Sequence, residues 1–209
     1  MDGLLVDSEP LWFEVERVVM ARMGSDWNDA DQEYLIGGSL RRSVGYMLGK
    51  AARPVAPGLL AHWLVDGMAQ VIRERGVAVK PGAARLLAEV TAAGIPAALV
   101  TSAERAIMEA TLAVTGLRFT ALVCAQDVTR PKPDPQPYQR AAAALGAGPR
   151  RCVALEDSPT GVSSAEAAGC VVIAVPSVPM PPRPGRVTVA SLCDLSLGTL
   201  QEILASQRP

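Results

Sequence analysis

Between Pro81 and Val175, short apolar runs alternate with helical segments that end on glycine, and this alternation leaves few folds open. Helical patterning over Gly82–Ala93 stops at Gly94, that of Ala103–Thr115 at Gly116, Pro137–Leu145 at Gly146 and Gly161–Ala168 at Gly169. A glycine after the last periodic residue is the usual C-terminal stop, because it adopts the left-handed conformation without steric cost. The runs between them, Ile95–Val100, Ala121–Cys124, Cys152–Leu155 and Val171–Val175, are short and continuously apolar. Strands buried on both faces read this way. The pattern predicts an α/β fold: a doubly wound, Rossmann-like parallel sheet with helices on both faces.

Residues 10–80 have a different texture. Amphipathic periodicity marks segments from Leu11 to Met23, Asp29 to Ile36, Ser39 to Lys50 and Pro57 to Arg75, punctuated by Gly24, Gly37-Gly38 and Ala52-Arg53-Pro54, and no strand is expected among them. The expected division is therefore a core built from residues 1–9 and 81–209, with an α-helical cap, residues 10–80, inserted after the first loop. Beyond Val175, five prolines between Pro176 and Pro184 read as a surface excursion, Val187–Val189 as a last strand and Leu197–Ala205 as a final helix. Residues 207–209 are expected to fray.

Composition removes several function classes. A net charge of -1 over 209 residues, with 49% hydrophobic and 20% charged residues, gives no basic surplus for nucleic acid or anionic lipid. No apolar run approaches the roughly 20 residues that a membrane span needs, so the expectation is a cytoplasmic protein, monomeric, acting on small molecules. Cys124, Cys152, Cys170 and Cys193 form no C-x-x-C, and His62 is the single histidine, which leaves zinc without a ligand set. Reduced thiols and a structural or surface histidine are expected.

In a doubly wound sheet, ligands bind outside the carboxyl ends of the strands. Chemistry-bearing residues fall there in chain order. Thr101-Ser102 follows one strand, where hydroxyls and helix-start amides can hold a phosphate oxygen or simply cap the helix. Lys132 lies in the stiff loop Arg130-Pro131-Lys132-Pro133-Asp134-Pro135, and Glu156-Asp157 closes the strand Val153-Ala154-Leu155. Two adjacent carboxylates beside an apolar run repel unless a cation lies between them, and a hard, oxygen-liganded ion such as Mg²⁺ suits them. At the other end of the chain, Asp2-Gly3 is a turn signal, Leu4-Leu5-Val6 is apolar, and Asp7-Ser8-Glu9-Pro10 can cap and open a helix.

Together these segments resemble the haloacid dehalogenase superfamily, in the helical-cap subfamily that contains β-phosphoglucomutase and many small-molecule phosphatases. The family's first motif is an apolar central strand ending in Asp-x-Asp-Gly. Here the second aspartate is Asp2 and x is Met1, so the nucleophile falls one residue before Met1. The resemblance implies that Asp2 is the catalytic acid and base and lends its carbonyl to the metal. It further implies that Thr101, Ser102 and Lys132 hold phosphate, with Lys132 also catalytic, and that Glu156 and Asp157 bind Mg²⁺. Pro131 stands before Lys132 where relatives commonly have glycine. In the cap, Trp12 and the loop Gly37-Gly38-Ser39-Leu40-Arg41 would face substrate, with Arg41 placed to meet a second anionic group.

The implied function is a Mg²⁺-dependent phosphatase acting on a small phosphorylated metabolite, a sugar phosphate, through an aspartyl phosphate. Trp12 stands where mutases of this type tend to carry histidine, and Leu40 where they tend to carry arginine; both favour hydrolysis over β-phosphoglucomutase-like transfer. A non-catalytic phosphate-binding relative is the third reading. A chain starting at Met1 is expected to lack the nucleophile and the central strand, to be inactive and poorly folded, and to derive from a product carrying a short apolar extension that ends in Asp.

Overall fold

The computed structural model describes residues 1–36 and 38–207. The alternation read from Pro81 onward is present, with shorter strands. In order come α5 (Ala83–Ala92), β3 (Ala98–Val100), α6 (Arg105–Thr115), β4 (Ala121–Val123), α7 (Gln136–Ala144), β5 (Val153–Glu156), α8 (Pro159–Ala168), β6 (Val171–Ala174), β7 (Val187–Thr188) and α9 (Leu197–Ser206), numbered after the elements of the N-terminal block below. Gly116 and Gly169 close α6 and α8 at φ 68° and 89°, which other residues rarely adopt.

The N-terminal block contains β1 (Val6–Asp7), α1 (Glu9–Arg22), α2 (Asp29–Leu35), α3 (Leu40–Lys50), α4 (Pro57–Arg75) and β2 (Ala78–Val79). Strand β2 corrects the expectation of a strand-free block. It pairs antiparallel with β1, Val6 opposite Val79 and Asp7 opposite Ala78. Two residues are too few to show a period of two, yet this pairing draws the two ends of the helical insertion together. Asn28 and Ser39 cap α2 and α3 with their side chains, and Pro57 opens α4 where its missing N–H costs nothing. Met20, Leu60, Leu64 and Met68 are fully buried among these helices. Helix α4 also lies against α6, whose Ile107 and Met108 join the same hydrophobic cluster, so the helical block and the sheet share one continuous interior.

The core is α/β, but its strands form two separate parallel ladders. β3 pairs with β4, and β5 pairs with β6, which pairs with β7. Between β3 and β5 lies an apolar cleft of about 530 Å³, with Leu86, Leu99, Val153 and Leu155 in its walls and Met1, Leu4 and Leu5 also in its lining. All strands of both ladders point their carboxyl ends toward the residues singled out above.

Candidate active site

The N-terminal loop is wound tightly. The amides of Leu5 and Val6 donate to the Met1 carbonyl, and that of Gly3 to the Val6 carbonyl. Gly3 sits at φ 74°, and a Cβ there would lie 2.3 Å from Asp157 Oδ2. Only glycine allows both this turn and this approach, and the consequence is that Asp2-Gly3 is held against the end of β5. Asp2 accepts a 2.7 Å hydrogen bond from the fully buried Ser8 hydroxyl. Ser8 therefore precedes α1 without capping it.

On the sheet side, Lys132 and Glu156 form a buried ion pair, with side chains 9% and 5% exposed. Burying two charges is costly unless their remaining hydrogen-bonding capacity is met, and here it is. The Lys132 ammonium also donates to the Val100 carbonyl at 3.2 Å, and the Tyr138 hydroxyl donates to the same Glu156 oxygen that takes the lysine. The Glu156 carboxylate rests on Gly161, where an added Cβ would come within 1.9 Å of it. Burial and the neighbouring Glu156 charge push the Tyr138 phenol well above its ordinary range, so it remains a donor. Tyr138 was not legible as a site residue, since an aromatic on the buried face of an alanine-rich helix reads as core.

Asp157, half-buried, is pushed up by burial, an effect opposed by the Met1 ammonium and by the Ser177 hydroxyl that donates to it. Thr101 is buried and its Oγ1 accepts the Ala103 amide, whereas Ser102 is exposed and does not cap; α6 begins only at Arg105. Thr101, not Ser102, thus takes the turn-forming hydrogen bond. Glu9, at the start of α1, faces Asp2, Asp7 and Asp157. Burial raises its carboxyl most, these charges add to that, and a hydrogen bond from Gln32 works against it. The start of α1 and the strand ends therefore bring the carboxylates of Glu9, Asp2, Asp7 and Asp157 within reach of one another.

Among the described residues, no three or more His, Cys, Asp and Glu side chains gather into a metal cage. Magnesium does not need one, because it commonly takes one or two carboxylates and fills its remaining positions with water and substrate phosphate. Asp157 fits that role as a hard donor with no side-chain cation of its own, beside the Asp2 backbone. Glu156 is engaged by Lys132 and Tyr138 and reaches an ion least directly.

The cap candidates lie elsewhere. Gly38, Ser39 and Arg41 are exposed, and Ser39 and Arg41 line a shallow surface hollow of about 460 Å³ with Tyr34, Arg42 and Tyr46. Trp12 is half-buried against the shared hydrophobic cluster. The cap-loop residue Leu40 is partly buried, and Gly37 falls outside the described residues. The four cysteines are free thiols, Cys193 exposed, and His62 makes an exposed pair with Asp66 on α4. No described helix is long and apolar enough to cross a membrane.

The profile of the family described as Haloacid dehalogenase-like hydrolase matches residues 1–175. Hexitol phosphatase A of Escherichia coli is 35% identical, in an alignment covering 100% of this chain and 93% of that protein. Hexitol phosphatase B of the same organism is 33% identical over 98% and 92%. Among solved structures, CbbY from Rhodobacter sphaeroides in complex with phosphate superimposes with a TM-score of 0.86 at 26% identity, covering 96% of each chain.

Proposed function

Since this chain belongs to the haloacid dehalogenase-like hydrolase family, as a phosphatase of its β-phosphoglucomutase-like type, we propose that it hydrolyses a phosphomonoester of a small polyol or sugar. The observation that carries the reading is the buried Lys132 ammonium. It is fixed by Glu156 and the Val100 carbonyl beside Thr101, at the strand ends where Asp2 and Asp157 also lie. A fixed cation in a partly dehydrated site stabilises a dianionic phosphoryl group far better than a solvated lysine does. The substrate class is supported by two hexitol phosphatases among the relatives and by the Rhodobacter sphaeroides CbbY structure with xylulose-(1,5)bisphosphate.

In this reading Lys132 and the Thr101 region hold phosphate oxygens, and Asp2, oriented by Ser8, transfers the proton to the leaving oxygen. Mg²⁺, when bound by Asp157 and the Asp2 carbonyl, would neutralise phosphate charge. Trp12 and Leu40 favour water over a sugar hydroxyl as the final acceptor.

Two measurements test this. Titration calorimetry with Mg²⁺ alone should show binding that is weakened at least about tenfold in Asp157→Asn, since a direct carboxylate ligand is lost; equal affinities would remove the metal assignment. A screen of hexitol, ketose and aldose phosphates should find release of inorganic phosphate from members of these classes, and release from none of them would remove the substrate assignment. Turnover of glucose phosphates without phosphate release would replace hydrolysis by the mutase reading.

A further inference from the structure

Two of the four thiols are brought side by side by the register of the sheet. β5 and β6 run parallel with Val153 opposite Val171, so Cys152 and Cys170, one residue earlier on each strand, stand opposite one another. The pairing extends that far, because the Val171 amide donates to the Cys152 carbonyl at 3.0 Å and the Cys152 backbone is already extended, at φ -109° and ψ 137°. Successive side chains of a strand point to opposite faces. Cys152 therefore shares the face of Ala154 and Cys170 that of Val172, and Ala154, Val172 and Cys170 belong to one hydrophobic cluster with residues of α7 and α8. Both thiols are free and only partly buried. Burial pushes the Cys170 thiol up to about 12, and the neighbouring Cys152 adds to this, as acidic groups within reach of each other do. Burial raises Cys152 too, with Arg151 opposing it.

We propose that Cys152 and Cys170 form a two-coordinate site for a soft monovalent cation of the Cu(I) class, independent of the phosphatase reading. Distance decides between this and a disulfide. Registered neighbours in a sheet lie about 4.7–4.9 Å apart, whereas a disulfide needs Cβ atoms about 3.5–4.5 Å apart. Two metal–thiolate bonds of about 2.3 Å placed end to end span about 4.6 Å, which fits the strand spacing without moving the backbone. Ligand number decides between metals. Among the described residues no third His, Cys, Asp or Glu joins the pair, so zinc, which takes four ligands, is not held. Soft thiolates select Cu(I), an ion that two ligands satisfy. One Cu⁺ and two thiols give a bis-thiolate anion and two protons released to solvent, and the Cys152 thiol gives up its weak bond to the Gly148 carbonyl at 3.5 Å. The anion has cations at hand, since Arg151 acts on Cys152 and the Arg150 side chain runs beside Gly169, next to Cys170. Oxidation is the slower fate of such raised thiols, because it proceeds from the thiolate.

The test is an anaerobic titration of the full 209-residue chain with Cu(I) in competition with bicinchoninate, a coloured chelator of that ion. The chain should take up one Cu(I), release two protons, and bind more tightly as pH rises, because both ligands must be deprotonated. X-ray absorption should show two sulfur neighbours. Cys152→Ser and Cys170→Ser should each weaken binding at least about a hundredfold, beyond what loss of a supporting contact costs, while Cys193→Ser should leave it unchanged. Sulfur count and proton release on the parent chain decide the matter even where a variant folds poorly. The proposal is overturned if binding follows Cys193, or if either Cys152 or Cys170 suffices alone. It is also overturned if the chain fails to retain Cu(I), and linkage of the two cysteines by oxidised glutathione in that case would assign the pair to a disulfide.

Discussion

Asp31 in the helical block and Asp157 at the sheet are both acidic side chains removed from bulk water, and they are treated in opposite ways. Burial pushes the Asp31 carboxyl up, but Lys50, the Tyr46 hydroxyl at 2.8 Å and the Asn28 amide at 3.1 Å more than reverse this, leaving it below its ordinary value. Asp157 has Ser177 and a chain-terminal ammonium, and stays raised. The packing differs in the same direction, since the helical block closes around Met20, Leu60, Leu64 and Met68 while the sheet holds an apolar cleft between two unpaired edges. The helical block is arranged for stability. The sheet keeps charges that are not fully balanced at the place where phosphate and metal are proposed to bind.

The sharpest way to break this comparison is to remove the same side chain from each region. Leu64 is fully buried in α4, and Leu64→Ala should destabilise the protein by about 2–5 kcal/mol through lost contacts and a residual cavity. Leu87 lines the cleft and already has empty space beside it, so Leu87→Ala should cost under about 1 kcal/mol. Chemical denaturation of both variants checks the pair. Equal costs would show the sheet half to be as well packed as the helical block.

Not every buried polar group of the helical block is treated as Asp31 is. Glu16 on α1 is 3% exposed, and among the described residues its hydrogen bond comes from the Trp27 indole at 3.2 Å. Burial raises its carboxyl from 4.5 to about 7, with the Glu9 charge adding to that and the indole bond opposing it. A raised acid is stabilising in its protonated form, so its contribution is full below about pH 4.5 and is lost as pH rises through about 7. The size is about 3 kcal/mol at roughly 1.4 kcal/mol per pKa unit. Glu16→Gln keeps an acceptor for Trp27 and removes the titration. Its melting temperature should match the parent at pH 5 and exceed it at pH 8, and an unchanged difference between the two pH values would reject the assignment.

Glu16 also marks where sequence reading stops. On α1 it falls among Glu14 and Arg17, exposed polar residues of an amphipathic helix, and nothing in the period separates it from them; its burial comes from Trp27 folding back across the helix. Local signals did fix the helices, because glycine stops and proline starts act within one turn, and Pro57–Arg75 was read to its observed bounds. The strand-end placement of Thr101, Lys132, Glu156 and Asp157 followed from the alternation alone. What needed the third dimension was pairing: β2 to β1, Tyr138 to Glu156, Ser177 to Asp157. Each partner lies far along the chain and carries no spacing that announces it. The hydroxyl at Thr101, and not the neighbouring one at Ser102, proved to be the bonded one, a choice between adjacent residues that backbone direction decides.

A modest effect is expected at the seam between the two regions. Ser8 is fully buried between β1 and α1, and its hydroxyl is spent on Asp2 instead of on the helix start. Ser8→Ala removes a single hydrogen bond to a carboxylate, which should cost about 1.5–3 kcal/mol if Asp2 stays dehydrated and nearer 1 kcal/mol if water replaces the hydroxyl. Asp2 is half-buried, which favours the lower figure and a fall in melting temperature of about 2–4 °C. The variant leaves Glu16 and Trp27 untouched, so its pH dependence of stability should run parallel to that of the parent. A loss above 3 kcal/mol would mean that Ser8 holds the helical block onto the sheet. A loss near 1 kcal/mol, joined to a specific fall in phosphate release, would mean that it orients Asp2.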